Sequence, residues 1–108
     1  AEDRSRLPEA TRTLEKAAGY ALDNPRIFHN LAIAYWQQEK VDPAVTAFLR
    51  AIELEPNNPQ FVQNLLQLLA QKQRWKEALP YARRMVELTP SNPQAINFLR
   101  EIERKISP

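Results

Sequence analysis

The chain has no cysteine, one glycine in 108 residues, and no long run of apolar residues. Each absence removes a class of protein. Without cysteine there are no disulfides and no thiolate ligands, and with His29 as the one histidine no metal cluster can be assembled. A single glycine rules out a glycine-rich loop that cradles phosphates. Crossing a bilayer takes about 20 consecutive apolar residues, and no such stretch exists. A surplus of charge is missing too: 15 Lys and Arg stand against 13 Asp and Glu, for a net +2. Nucleic-acid binders gather basic residues in a stripe. Here only Arg83-Arg84 and the Arg100, Arg104, Lys105 group cluster, and both read as solvated helix faces. The first residues, Ala-Glu-Asp-Arg-Ser-Arg, lack the apolar stretch of a signal peptide. A cytoplasmic setting is favoured, although a piece cut from an exported parent would read the same.

Proline, in contrast, is plentiful. Asn-Pro recurs at Asn24-Pro25, Asn58-Pro59 and Asn92-Pro93, each 34 residues after the last. A fixed period of that length is the mark of stacked helix-turn-helix units. Laying residues 25–58 over 59–92 gives ten identities, among them Pro25/Pro59, Asn30/Asn64, Ala44/Ala78, Arg50/Arg84 and Pro56/Pro90. Most other pairs keep their apolar character. No apolar–polar alternation or hairpin turn points to strands.

Each unit reads as two helices. Ile27, Phe28, Leu31, Ala34 and Tyr35 share one helix face, as do Val45, Phe48, Leu49 and Ile52 in the next segment. Asp42-Pro43 fits a cap followed by a first helical residue. The expected helices run over 7–21, 25–38, 42–54, 59–72, 75–88 and 93–106.

On these residues the chain resembles the tetratricopeptide repeat family. With Pro25 as position one, Phe28, Leu31, Ala32, Tyr35, Ala44, Phe48, Ala51 and Pro56 fall on its signature positions. Leu65, Ala78 and Pro90 do so in the next unit, where Trp75 takes the aromatic position and is expected in the core. Residues 7–24 resemble a second helix alone, through Leu7, Ala10, Leu14 and Ala17. Residues 93–108 resemble a capping first helix, through Ile96 and Leu99, with Arg100, Glu103 and Arg104 as its polar outer face. The resemblance implies an all-α right-handed solenoid of six antiparallel helices, in one domain of two repeats (25–58 and 59–92) flanked by half repeats. Leu66 and Ala82 depart from the pattern, and Leu66 is expected to fill the space that Ala82 leaves. Pro80, near the start of its helix, is expected to cost at most one marginal backbone hydrogen bond.

The candidate site lies beside the core face. Arg26, Asn30, Ile33 and Gln37 line one side of their helix, Gln60, Asn64, Gln67 and Gln71 the next, and Gln94, Phe98, Glu101 and Lys105 the last. His29, Gln63 and Trp36 border these stripes, His29 as a surface residue and Trp36 as either an anchor or packing. In the family this side lines a concave groove for extended peptides. Asn30 and Asn64 match a position often used to grip a peptide backbone, since an amide donates and accepts at once. A carboxylate clamp is not expected, because His29, Ile33, Gln94 and Phe98 stand where the family's clamp places Lys and Asn in one unit and Lys and Arg in a later one. The reading is therefore a non-catalytic module that binds a peptide or partner helix, without cofactor, metal, nucleic acid or membrane insertion. The alternative is a structural spacer or self-association segment. The apolar stripe of residues 7–22, through Leu7, Leu14 and Ala18, is expected to be uncovered in this chain, to invite a homodimer, and to meet an upstream helix in the parent protein.

Overall fold

The computed structural model describes residues 7–107, all of whose regular elements are α-helices. They are α1 (Leu7–Tyr20), α2 (Pro25–Gln37), α3 (Val41–Leu54), α4 (Pro59–Gln71), α5 (Trp75–Leu88) and α6 (Pro93–Ile106). The expected spans hold to within a residue at each end. The helices fall into two compact units, Ala1–Pro56 and Asn57–Pro108.

The recurrent Asn-Pro is a helix start. Asn24, Asn58 and Asn92 sit in extended backbone, and each side-chain oxygen accepts from the backbone N–H two residues on, at 3.1, 3.0 and 3.0 Å. The proline that follows needs no partner, because first-turn N–H groups are orphans in any helix. Asparagine satisfies one of those orphans and proline removes another.

The turn inside each repeat is a Schellman motif. After α2, the Glu39 N–H donates to the Trp36 carbonyl and the Lys40 N–H to the Tyr35 carbonyl, both at 2.9 Å. After α4, Gln73 donates to Ala70 at 3.0 Å and Arg74 to Leu69 at 2.8 Å. The motif needs a left-handed residue, and Glu39 and Gln73 fill it with φ of 60° and 57°. Side chains with a Cβ are strained there, by about 1 kcal/mol or more. Glycine suits that backbone, yet the chain's one glycine, Gly19, lies inside α1. Glu39→Gly and Gln73→Gly are each expected to stabilise the chain by about 0.5 kcal/mol, the relieved strain being partly offset by a freer unfolded chain. Chemical denaturation tests this, and a lower midpoint in both variants would contradict the strain.

This turn also moves the start of α3. The helix begins at Val41, with Lys40 as a cap that makes no side-chain bond, so Asp42 is not the cap expected from sequence. The Lys40 carbonyl accepts from Ala44 at 3.1 Å, which places Asp42 and Pro43 in the first turn. There the Asp42 carboxylate favours the helix dipole and the missing N–H of Pro43 costs nothing.

In the first unit, α2 packs on α3 and α1 packs on α2. Ala32, Ala44, Phe48 and Ala51 are wholly excluded from water. Polar clasps join α1 to α2. Gln38 donates to the buried Thr11 hydroxyl, and the Tyr35 hydroxyl donates to Glu15 at 2.6 Å. Burial, then the hydrogen bond and charge of Glu15, push the Tyr35 phenol up to about 12, so it remains a donor. Arg50 donates to the Leu22 carbonyl at 3.2 Å, pairs with Glu53 at 2.9 Å and stands over the Phe28 ring. It thereby ties down the α1–α2 turn, where Leu22 replaces the proline of the other repeats.

In the second unit, α5 packs between α4 and α6. Val62, Leu65, Leu68, Leu69, Ala78, Ala82 and Ile102 form its core. Trp75 is half-buried rather than core, because it opens α5 and only part of its ring is covered; Lys105 lies over that ring at 5.9 Å. Arg100, Glu103 and Arg104 are exposed on α6.

Candidate functional site

The first-helix faces carry the expected amides to the surface. In the first unit Arg26, Asn30 and Gln37 are exposed and Ile33 is half-buried. In the second, Gln60, Gln63, Gln67, Gln71 and Gln94 are exposed, with Asn64 and Phe98 half-buried. On α6 the stripe ends at Phe98: Glu101 pairs with Arg104, and Lys105 turns to Trp75.

Two residues serve packing. His29, expected on the surface, is 9% exposed, with its ring 5.7 Å from that of Phe48. It lies one helical turn before the wholly buried Ala32, on the same face of α2. Trp36 is half-buried and stands edge-on to the same ring at 6.2 Å and 79°. Phe48 thus holds both residues that border the Asn30 stripe, a favourable aromatic arrangement.

The buried imidazole gives the first unit a pH dependence. Desolvation, then the positive charge of Arg26, hold His29 below its ordinary 6.5. A depressed histidine means that the unfolded chain binds the proton more readily. The contribution is therefore complete above 6.5 and is lost as pH falls through the window below it. The urea midpoint is expected to drop between about pH 7.5 and pH 5.5, a range in which ordinary carboxylates stay ionised. In His29→Phe the drop should vanish; its persistence there would reject the assignment.

The second unit holds a pocket of about 220 Å³. Gln63, Leu66 and Gln67 of α4, Met85 of α5, the cap Asn92, and Gln94, Ala95 and Phe98 of α6 line it. Four of these were legible as site residues. Leu66, Met85, Asn92 and Ala95 were not. The first three carried signals: a leucine at a position that usually holds a small residue, a methionine where the preceding repeat has Ala51, and an asparagine noticed only as a marker of period; Ala95 carried none. Leu66 and Ala82 are both buried.

Among the described residues no group of three or more His, Cys, Asp or Glu could hold a metal ion, and no helix is long and apolar enough to cross a membrane. What the faces offer is hydrogen bonding by neutral amides beside apolar surface.

Two-helix units of 34 residues, capped by asparagine and folded back on themselves by a left-handed residue between their helices, define a helical repeat protein. The model of the tetratricopeptide repeat matches residues 1–59 and 29–93, and the chain belongs to that family. No curated protein matches it at the level of sequence. Among solved structures, the first tetratricopeptide domain of Spaghetti (RPAP3), bound to an HSP90 peptide, is 26% identical. That likeness covers 94% of this chain and 80% of the other, with a TM-score of 0.75. A MamA double mutant is 24% identical over 92% of this chain, with a TM-score of 0.78, and the present chain spans 56% of its length. The type III secretion chaperone SycD of Yersinia enterocolitica, in complex with a peptide of YopD, is 17% identical over 95% of this chain and 84% of its own, with a TM-score of 0.78.

Proposed function

We propose that this chain is a non-catalytic protein-interaction module, whose first-helix faces take an extended peptide or a partner helix. The observation that carries the reading is the repeated amide. Asn30 and Asn64 occupy the same register of α2 and α4; Ile33 and Gln37 continue the first stripe beyond Arg26 at its start, and Gln60, Gln67 and Gln71 complete the second. A peptide left with unpaired N–H and C=O groups needs donors and acceptors at a fixed repeat, and asparagine supplies both. The solved relatives that hold peptides, from HSP90 and from YopD, support the same use.

The test is Asn30→Ala with Asn64→Ala, titrated calorimetrically against a peptide selected on this chain from a displayed random library. Each lost hydrogen bond costs about 0.5–1.5 kcal/mol, so affinity is expected to fall by roughly 5- to 150-fold without unfolding. Binding should change little with salt, since the contacts are amide rather than ionic. Unchanged affinity in the double variant would sink the reading.

Self-association through residues 7–22 is the second reading. Tyr20 is 92% exposed and Leu22 61%, which favours it. The stripe is nonetheless narrower than sequence implied: Ala18 is buried by the packing of α1 on α2, Leu14 is half-buried, and the Leu7 side chain lies outside the described residues. Sedimentation velocity that gives a monomer at every concentration would remove it.

A further inference from the structure

Resting on that peptide-binding reading, we infer that the pocket of the second unit takes one bulky apolar side chain from an uncharged stretch in the interior of a peptide. Its chemistry is divided. Leu66, Met85 and Ala95 are buried and, with half-buried Phe98, make an apolar floor. Gln63, Gln67 and Gln94 are exposed and set amides around it.

Three properties fix the occupant. The first is size. At about 220 Å³ the pocket falls below the roughly 300–1,000 Å³ of small-molecule sites, and suits a single side chain. The second is charge. All eight lining residues are neutral, so an acidic side chain or a terminal carboxylate would be desolvated with no cation to meet it. The third is the rim. Amides on both α4 and α6 can serve peptide groups on either side of the anchor, which requires a chain that continues in both directions. Asn92 commits its side-chain oxygen to the Gln94 N–H at 3.0 Å, so the group it can offer is its NH₂, a partner for a peptide carbonyl. The Met85 thioether lets the floor adapt to Leu, Ile, Met or Phe without choosing one shape.

The experiment is selection on the intact chain from a random peptide library displayed without free carboxyl ends, followed by titration of capped synthetic copies. Enriched peptides are expected to share one large apolar residue with uncharged neighbours. Changing that residue to alanine should weaken binding roughly tenfold or more, as truncation in an apolar pocket does, and changing it to aspartate should abolish it. Ala95→Phe fills the floor and Gln67→Trp covers the mouth from an exposed position; each should weaken binding by a similar factor. Circular dichroism identifies a variant that fails to fold, and Gln67→Trp, on the surface, keeps the test valid if Ala95→Phe does not fold. Peptides that bind Gln67→Trp as well as the parent chain, or that tolerate aspartate at the anchor, overturn the pocket. If those same peptides still lose affinity with Asn30→Ala and Asn64→Ala, the wider peptide-binding reading survives. A library that yields no binder overturns both.

Discussion

Ala44→Trp and Ala78→Trp are each expected to lower the melting temperature by more than roughly 10 °C, or to leave the chain unfolded at 25 °C. Ala44 and Ala78 stand one repeat apart, on α3 and α5, and both are wholly inaccessible to water. The helices packed against them are already filled: Leu31 and Ala32 of α2, against α3, and Leu65 and Leu69 of α4, against α5, are buried. Protein interiors pack as densely as organic crystals. A few extra methylenes in such a core cost about 1–3 kcal/mol, and an indole adds far more than that. Set against a total stability of roughly 5–15 kcal/mol for a small domain, either substitution removes much of the fold. Thermal melts followed by circular dichroism decide the matter. Midpoints close to the parent's in both variants would mean that these helices do not approach at their alanines.

Pro80→Ala is expected to act in the opposite direction, and by nearly as much. Sequence placed Pro80 near a helix start, where its missing N–H would matter little. The structure places it inside α5, which begins at Trp75 and whose first intrahelical bond already runs from the Ala78 N–H to the Arg74 carbonyl at 3.1 Å. Position 80 is therefore beyond the orphan turn, and an N–H there would reach the carbonyl of Lys76. Proline in a helix interior costs about 3 kcal/mol relative to alanine. Because Pro80 is exposed and close to the N-terminal end, a gain of about 1–3 kcal/mol is expected, or several degrees in melting temperature. A midpoint at or below the parent's would show that the ring does packing work that its exposure conceals.

The repeat itself was legible because it rests on local rules. Asn-Pro begins a helix, an apolar residue recurs every third or fourth position, and alanine falls where helices meet. These need only the chain's own period, and the helix spans followed to within a residue. Features set by how one helix is rotated on the next were not legible. His29 is one position from the core stripe, and only the placement of Phe48 decides that it is inside. Trp75 matches an aromatic position in the family, yet at the first residue of α5 it has cover on part of its ring. Asp42 is a good cap by composition, but the Schellman turn had already supplied the Lys40 carbonyl as the helix start. The amide stripes were read from register. The pocket among them depends on Leu66, Met85 and Ala95 together, three side chains from three helices that no single stretch of sequence brings into view.

The asparagine caps also bear on how the protein ages. An asparagine deamidates when the backbone nitrogen of the following residue attacks its side-chain carbonyl and closes a succinimide ring. Proline's nitrogen carries no hydrogen and cannot complete that step. Asn24, Asn58 and Asn92, the residues that start α2, α4 and α6, are each followed by proline. The dipeptide that marks every repeat thus shields its own cap from the commonest spontaneous damage to asparagine. Chemical wear should fall instead on an exposed turn asparagine such as Asn57, which is not one of the three caps.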